Sequence, residues 1–536
     1  MNILFLMVDQ LRYDYLGCTG HKTIKTPNID ALARQGVRFD RAYVQSPLCG
    51  PSRMSAYTGR YCRSHGATFN GTPIGVGELT LGDHLRLVGM DTVLCGKTHA
   101  APDKRGMQRL GIEADSKIGR RIAECGFDVW ERMDGEFPAT QPDPNNAYQI
   151  YLRSKGYDSD NPWHDFANSG EDSDGKILSG WQLQNATKPA RIAAEDSETA
   201  WLTTRAMDYL DQVGDMPWCL HVSYIKPHWP YVAPTPYHQM YGPEDIQPVV
   251  RSEGEHTDPH PVLGAFQAER VGRAFSRAEV REAVIPAYMG LITEIDDQIG
   301  RLIAQLETTG QRDNTLIVFT SDHGDYLGDH WLGEKELFHD ASVRVPLIVV
   351  DPRAEAMATR GTVCNALVEA IDLVPTFVEY AGGEPRTEIL EGKSLKPLIQ
   401  GQATEVRQHV FSEYDYCFKS ARKKLNQPIG DCRLAMICDD QFKLIHAEGF
   451  RPMLFDLKKD PGELTDLGKS LDHKEICDNL MEQLNSWYRQ HHNKTMHSNA
   501  DIVARENGAV RRGIYLGFWD QEEIDEAAQL AASKNY

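Results

Sequence analysis

The 536-residue sequence predicts an α/β sandwich, a largely parallel sheet between helices, followed by a smaller C-terminal α+β domain. Three observations carry this. Five short apolar runs, ILFLMV (3–8), TVLC (92–95), WCLHVSY (218–224), LIVFTS (316–321) and VPLIVV (345–350), are continuous rather than alternating. Continuous apolar character marks strands covered on both faces, as in a parallel sheet. Helical patterns lie between the runs, an order that makes an α/β sandwich. After about residue 385 the pattern shifts to short strands in succession and then a helix.

In chain order, the first run stops at Asp9-Gln10 and reads as a buried strand. NIDALARQG (28–36) is a helix opening with Asn28 and closing with Gly36, suitable cap chemistry. Pro51 suits the first turn of a helix, which puts Cys49 at or just before that helix's N-terminus. The 92–95 run ends in Gly96-Lys97-Thr98-His99. Residues 100–190 are rich in Asp, Asn, Gly, Pro and Ser and read as a long insertion shaping the mouth of a site; 232–280 read the same way. The 218–224 run ends in Lys226-Pro227-His228. Between Tyr288 and Leu306 apolar residues fall at 288, 291, 292, 295, 299, 302, 303 and 306, a helical stripe. The 316–321 run ends in Asp322-His323-Gly324. HVFSEYD (409–415), RLAMICDD (433–440) and FKLIHAE (442–448) read as antiparallel strands before a helix near 473–491. The expected division is an α/β domain over 1–385, an α+β domain over 386–495 and an amphipathic extension over 496–536 that covers a neighbouring subunit, so that a homo-oligomer is expected.

Composition bounds the function. A formal net charge of −20 disfavours nucleic acid and anionic membrane surfaces as partners, since both need a basic footprint. A small anionic substrate is compatible if the site supplies local cations. No apolar run approaches the roughly 20 residues a membrane span needs. MNILFLMVDQLR has no basic n-region and its apolar run stops at Asp9, which suits a strand better than a signal peptide. Eleven scattered cysteines without a C-x-x-C pair argue for a reducing, cytoplasmic setting.

In open α/β sheets, ligands bind outside the carboxyl ends of the strands. Asp9, Gln10, Lys97, His99, His228, Asp322 and His323 all fall there. Two Asp, one His and one Gln oxygen suit a single divalent cation, Mn²⁺ first because of the imidazole and Ca²⁺ second. Taken singly, Asp322-His323-Gly324 also reads as a capped turn, His228 as a packed loop histidine and Lys335 as a solvated lysine. Cys49 could be a buried thiol, a zinc ligand, a thiolate nucleophile or the substrate of a modification. At a helix N-terminus it favours an anion, and Arg53 lies one turn along. A soft thiolate is a poor companion for a hard oxygen-ligated metal.

Cys49-Gly50-Pro51-Ser52-Arg53 followed by Thr58-Gly59-Arg60 resembles the sulfatase motif C-x-P-S-R…T-G-R. Asp9-Gln10, Gly96-Lys97-x-His99, Pro227-His228-x-Pro230, Ser321-Asp322-His323-Gly324 and Phe455-Asp456-Leu457…Asp460-Pro461-x-Glu463 extend the likeness in order over most of the chain. The resemblance implies the alkaline-phosphatase-like fold, with a large mixed, mostly parallel sheet. Within that superfamily, Asp9-Gln10 with Asp322-His323, and Gly333-Glu334-Lys335…Phe338-His339-Asp340, resemble phosphonate monoester hydrolases and choline sulfatases. Lys97 and His99 match sulfatases instead.

The resemblance also implies roles. A formylglycine-generating enzyme converts Cys49 to formylglycine, whose hydrate attacks sulfur. Asp9, Gln10, Asp322 and His323, with residue 49, hold the cation. Arg53 steadies the hydrate, and Lys97 and Lys335 neutralise the non-bridging oxygens. His228 binds the substrate and protonates the departing oxygen. His99 takes the proton from the second hydroxyl, expelling sulfate and regenerating the aldehyde. Asn70 contacts the substrate. The expected activity is hydrolysis of an aryl or alkyl sulfate, with a phosphonate monoester or phosphodiester hydrolase as the second reading. A non-catalytic metal-binding protein with an unmodified Cys49 is the third. The pocket walls are expected from 100–190 and 232–280, where Trp163, Trp181, Trp229 and Tyr231 either line a cleft or pack.

Overall fold

The structure is a computed structural model that describes residues 1–214, 216–490, 497–505 and 508–533. The junction between the α+β domain and the C-terminal extension, and the last residues of that extension, lie outside the described residues.

The strands are β1 (Asn2–Asp9), β2 (Val37–Tyr43), β3 (Asp91–Gly96), β4 (Asp128–Arg132), a small hairpin of β5 (Ser169–Glu171) and β6 (Ile177–Ser179), β7 (Trp218–Pro227), β8 (Thr315–Ser321), β9 (Arg344–Val350), β10 (Thr362–Glu369), and β11 to β14 (Val410–Asp415, Arg433–Cys438, Phe442–Ala447 and Met453–Asp456). Eight of them form the main sheet in the order β10-β2-β9-β8-β1-β7-β3-β4. Only β9 is reversed, being antiparallel to both neighbours, so the other seven run one way. Their carboxyl ends meet at one edge.

The two faces of β1 feed two separate cores. Ile3, Phe5 and Met7 pack with Met54 and Tyr57, whereas Leu4, Leu6 and Val8 pack with Tyr288, Ile292 and Ile295 of the long helix Ala278–Thr308. Both-face burial is the reason these strands read as unbroken apolar runs. At about 25 cal/mol per Å², burying each large side chain contributes roughly 1.5–3 kcal/mol.

Helix α1 spans Pro27–Gln35 with Thr26 at its N-cap, so the helix begins one residue before the Asn28 start read from sequence and its cap lies two before it. Asn28 instead donates its side-chain amide to Asp296 Oδ2 at 2.8 Å. Gly36 caps its end in extended backbone, not the left-handed form. The region read as an insertion contributes β4, the edge strand beyond β3. DVWER is polar because an edge strand is half-exposed, and this hid it.

The second domain is the antiparallel sheet β11-β12-β13-β14, covered by the helix Lys474–Gln490. Leu480, Leu484 and Trp487 of that helix pack on Phe411, Ile437, Leu444 and Leu454. No helix among the described residues is long and apolar enough to cross a membrane.

Candidate active site

Five strand or helix ends converge. β1 ends at Asp9, and Gln10 turns into the left-handed region at φ 64° while its N–H donates to Asp322 Oδ1 at 3.0 Å. β8 delivers Asp322 and His323. β3 ends at Gly96, where a Cβ would meet the Ser223 carbonyl oxygen at 2.1 Å, so only glycine lets Lys97 N–H reach that carbonyl at 3.1 Å. β7 delivers His228. Helix α2 (Cys49–Thr58) begins at Cys49, as the placement of Pro51 predicts, and Asn70 Oδ1 accepts from the Gly50 N–H at 2.9 Å.

The ligand atoms of Asp9, Cys49, Asp322 and His323 all lie within 4.8 Å of one another, and all four residues are buried. Cys49 Sγ is 3.0 Å from His323 Nε2 and 3.8 Å from Asp9 Oδ1. Beneath them Arg53, wholly buried, donates to Asp322 Oδ2 at 2.7 Å, Asp9 Oδ2 at 3.4 Å, the Lys97 carbonyl at 3.0 Å and Ser223 Oγ at 2.7 Å. These bonds tie the guanidinium to both carboxylates from beneath the cluster. Lys97 Nζ pairs with Asp9 Oδ2 at 2.6 Å. Oδ2 of each carboxylate is thus tied to cations, and Oδ1 of each faces His323 Nε2, at 3.6 Å for Asp9 and 3.8 Å for Asp322.

His323 Nδ1 donates to the Gly324 carbonyl at 2.9 Å, so Nε2 is the free ligand position. A ring nitrogen pinned on a backbone carbonyl with its partner aimed at two carboxylates is the arrangement of a metal-ligating histidine. Burial would lower this imidazole, but Asp322 and Cys49 raise it, so the cluster draws a positive charge to that point. The donor set and its charge fit one hard divalent cation.

Above the cluster the field reverses. Lys335 is buried, not solvated: its Nζ donates to Gln10 Oε1 at 2.9 Å, to Cys49 Sγ at 3.5 Å and to His228 Nε2 at 3.1 Å. Burial alone would push the Cys49 thiol up, yet Lys335, His323 and Lys97 hold it well below the ordinary thiol range. Position 49 therefore stabilises a negative group. His228 Nδ1 donates to the Trp229 carbonyl at 2.9 Å, so its Nε2 is the acceptor for Lys335. Burial first, and Lys335 second, lower His228 to about 4. His99 sits in the left-handed region at φ 55°, half-buried, and its Nδ1 has no hydrogen-bond partner among the described residues.

A cavity of about 410 Å³ opens above Cys49, with Asn70, His99, His228 and Lys335 in its lining. Its walls do not come from the two expected insertions: the first contributes only Glu136 and the second nothing. Trp229, Phe69 and, from the C-terminal domain, Tyr414, Asp415, Phe418 and Lys419 supply them. Phe69 meets Phe418 at 4.4 Å between ring centroids, and Lys419 pairs with Glu336 next to Lys335. Trp163 and Tyr231 pack in the core, whereas Trp181 stays more exposed beside Trp229. A larger groove of about 740 Å³, lined by Arg41, Arg407 and Lys458 among others, contains none of these site residues.

Sequence reading missed Ser223 and Asp325 as parts of this site and took Tyr231 only as an aromatic that lines a cleft or packs. Their chemistry is that of ordinary strand and loop residues, and only the fold brings them to Arg53 and Gln10. The Asp-His-Gly-Asp spacing of residues 322–325 was the one available signal for Asp325.

Residues 1–383 match the sulfatase family model, and residues 328–490 match that of the N-sulphoglucosamine sulphohydrolase C-terminal region. The chain is 34% identical over 521 residues to the multifunctional alkaline phosphatase superfamily protein PehA of Trinickia caryophylli, covering 92% of this chain and 96% of that one. It is 29% identical to an arylsulfatase of Clostridium perfringens, over 90% and 93% of the two chains. Among solved structures, a phosphonate monoester hydrolase of Agrobacterium radiobacter superposes with a TM-score of 0.78 at 30% identity, covering 92% and 97%.

Proposed function

We propose, on the premise that this chain belongs to the sulfatase family of the alkaline phosphatase superfamily, that it hydrolyses aryl or alkyl sulfate monoesters through a formylglycine made from Cys49. The observation that carries this reading is the two-sided setting of residue 49. Carboxylates and an imidazole lie below it, and the ammonium groups of Lys97 and Lys335 flank it.

Asp9, Gln10, Asp322 and His323, with residue 49, would hold one divalent cation, Mn²⁺ before Ca²⁺. Bound there, it supplies Lewis-acid polarisation and lowers the pKa of a hydroxyl. Arg53 fixes the two carboxylates. Lys97 and Lys335 stabilise the non-bridging oxygens of the transferring group. His228, its Nδ1 held on the Trp229 carbonyl and its Nε2 turned toward Lys335, binds the ester and, once protonated at Nε2, is the general acid for the departing oxygen. His99, with its unpaired Nδ1, is the base that takes a proton from the second hydroxyl of the hydrate. Asn70 and the aromatic wall of Phe69, Trp229 and Phe418 receive the leaving group.

A phosphonate monoester or phosphodiester is the second reading. It is favoured by the likeness to the phosphonate monoester hydrolase and by Asp9-Gln10 with Asp322-His323. Both esters carry one negative charge, so charge does not separate them; Lys97 and His99 favour sulfate. The kcat/KM of one preparation on matched nitrophenyl sulfate and phosphonate esters ranks them. Sulfate is expected to lead, and a phosphonate preference of orders of magnitude reverses the order.

Maturation requires a formylglycine-generating enzyme, and the working compartment is the cytoplasm. The extension over 496–536 joins copies into a homo-oligomer. Leu516 is 95% exposed and Trp519 92% exposed within one chain, which a partner subunit would cover. Truncation before residue 496 should convert the oligomer to a monomer in size-exclusion chromatography with light scattering; an unchanged mass contradicts this.

A further inference from the structure

We propose that Asp325 and Tyr231 are positioning residues that lock the side-chain amide of Gln10 with its carbonyl oxygen toward the cation site. This rests on the reading of Asp9, Gln10, Asp322 and His323 as metal ligands. Gln10 is the one neutral acyclic ligand in that set, and the only one whose two ends are chemically opposite. A carboxylate offers an oxygen whichever way it turns. An amide offers an oxygen at one end and two N–H donors at the other, and a flipped glutamine presents donors to the cation.

The environment permits one orientation. Gln10 Nε2 donates to Asp325 Oδ2 at 2.5 Å and to the Tyr231 hydroxyl at 3.0 Å. Tyr231 in turn donates to the same Asp325 Oδ2 at 2.6 Å, and the Leu327 N–H reaches Asp325 Oδ1 at 3.0 Å. Both oxygens of Asp325 therefore act as acceptors. At the opposite end, Gln10 Oε1 accepts from Lys335 Nζ at 2.9 Å. Reversing the amide would set an oxygen against a carboxylate oxygen and an NH₂ against an ammonium. Gln10 and Asp325 are wholly buried and Tyr231 is 2% exposed, so no water relieves either clash. The backbone helps: at φ 64° Gln10 is held in a sparsely populated conformation by its N–H bond to Asp322 and by Tyr288, whose hydroxyl donates to the Gln10 carbonyl at 2.7 Å.

The test uses full-length protein stripped with chelator and titrated with Mn²⁺ by calorimetry, with thermal unfolding to verify folding. Asp325→Asn can donate as well as accept, so it releases the amide. Mn²⁺ affinity should fall roughly ten- to hundredfold, as when the outer partner of a metal ligand is lost. Tyr231→Phe should weaken it less, by a few-fold. Gln10→Glu alone should also weaken Mn²⁺ binding, although it adds a negative ligand, because it sets two buried carboxylates against each other. The double variant Gln10→Glu/Asp325→Asn restores a donor facing an acceptor and should return the affinity to within about threefold of the parent. A residue that only supports the fold would not give this reciprocal rescue. Should Asp325→Asn fail to fold, Tyr231→Phe and the Gln10→Glu pair still decide. Parent-like Mn²⁺ affinity in folded Asp325→Asn, or a double variant no better than Gln10→Glu alone, overturns the assignment and leaves the metal reading standing. A parent chain that takes up no Mn²⁺ removes both.

Discussion

Lys97 shows how a single residue joins structure and chemistry. Its ammonium is fully desolvated, which alone would lower its pKa, yet Asp9 and Cys49 raise it, so it stays charged. A fixed charge in a water-free site stabilises developing negative charge without reorganising solvent. Lys97→Ala should lower kcat on a nitrophenyl sulfate roughly 10²–10³-fold, about 3–4 kcal/mol, with a smaller change in KM. A loss confined to KM would show that Lys97 acts in ground-state binding alone. The residues at the polar ends of apolar runs were legible because parallel strands must bring those ends to one edge. Lys335 was less so: nothing local distinguishes it from a solvated lysine, and its burial arises from contacts with Gln10, Cys49 and His228, distant in sequence. Arg53 was legible as a neighbour of Cys49, one turn along α2; its pairing with the carboxylates of β1 and β8 was not, because only the fold brings those strand ends to it.

Helix α2 is buried on every side, from Cys49 to Thr58. Its amphipathicity is therefore weak, and Pro51, not periodicity, made its start readable. Gly59 ends the helix at φ 66°, and a Cβ there would lie 2.8 Å from Leu390 Cδ2 and 3.1 Å from Val374 Cβ. Gly59→Ala should destabilise the fold by about 1–3 kcal/mol, measured by chemical denaturation. Activity per folded molecule should stay near the parent's; a loss of kcat without a loss of stability contradicts a purely structural role. The central strands were legible as elements and the outer ones were not. VRFDRAY of β2 alternates buried Val37 and Phe39 with part-exposed Arg38 and Asp40, and β10 exposes Thr362 and Val363. Strands near an edge carry the charge and irregularity that discourage edge pairing, and the same features erase the apolar run.

At the scale of the molecule, the C-terminal domain supplies part of the cavity wall above Cys49. Lys443 on β13, wholly buried, donates to the Phe338 carbonyl at 3.0 Å and pairs with Asp340 at 2.6 Å and Glu463 at 2.7 Å. This clamp holds the far end of the loop that carries Lys335, and it gives the Asp460-Pro461-x-Glu463 motif a structural purpose. Three of the four strands of this domain's sheet and its helix were legible in sequence, and the four-residue β14 was not; nor was the domain's share in the cavity walls, because domain packing leaves no local pattern. The large domain also stores pH dependence. Burial raises Glu294 from the ordinary 4.5 to about 7. Between these values the folded chain keeps a proton that the unfolded chain has released. The resulting stability is fully present below about pH 4.5 and is lost as pH rises through about 7. Glu294→Gln, which mimics the protonated form, should flatten the fall in thermal midpoint over that range and exceed the parent at pH 8 by roughly 2–3 kcal/mol. A parallel fall in both proteins contradicts this assignment.

The claim on which everything else depends is that residue 49 works as an aldehyde hydrate, not as a thiol. The mass of the tryptic peptide containing Ser46–Arg53, taken from active enzyme co-produced with a formylglycine-generating enzyme, tests it most directly. The predicted mass is about 18 Da below that of the cysteine form, since SH₂ is lost and oxygen gained, and the modified fraction should track specific activity across preparations. Full activity in a preparation whose residue 49 carries only an intact sulfhydryl would contradict it.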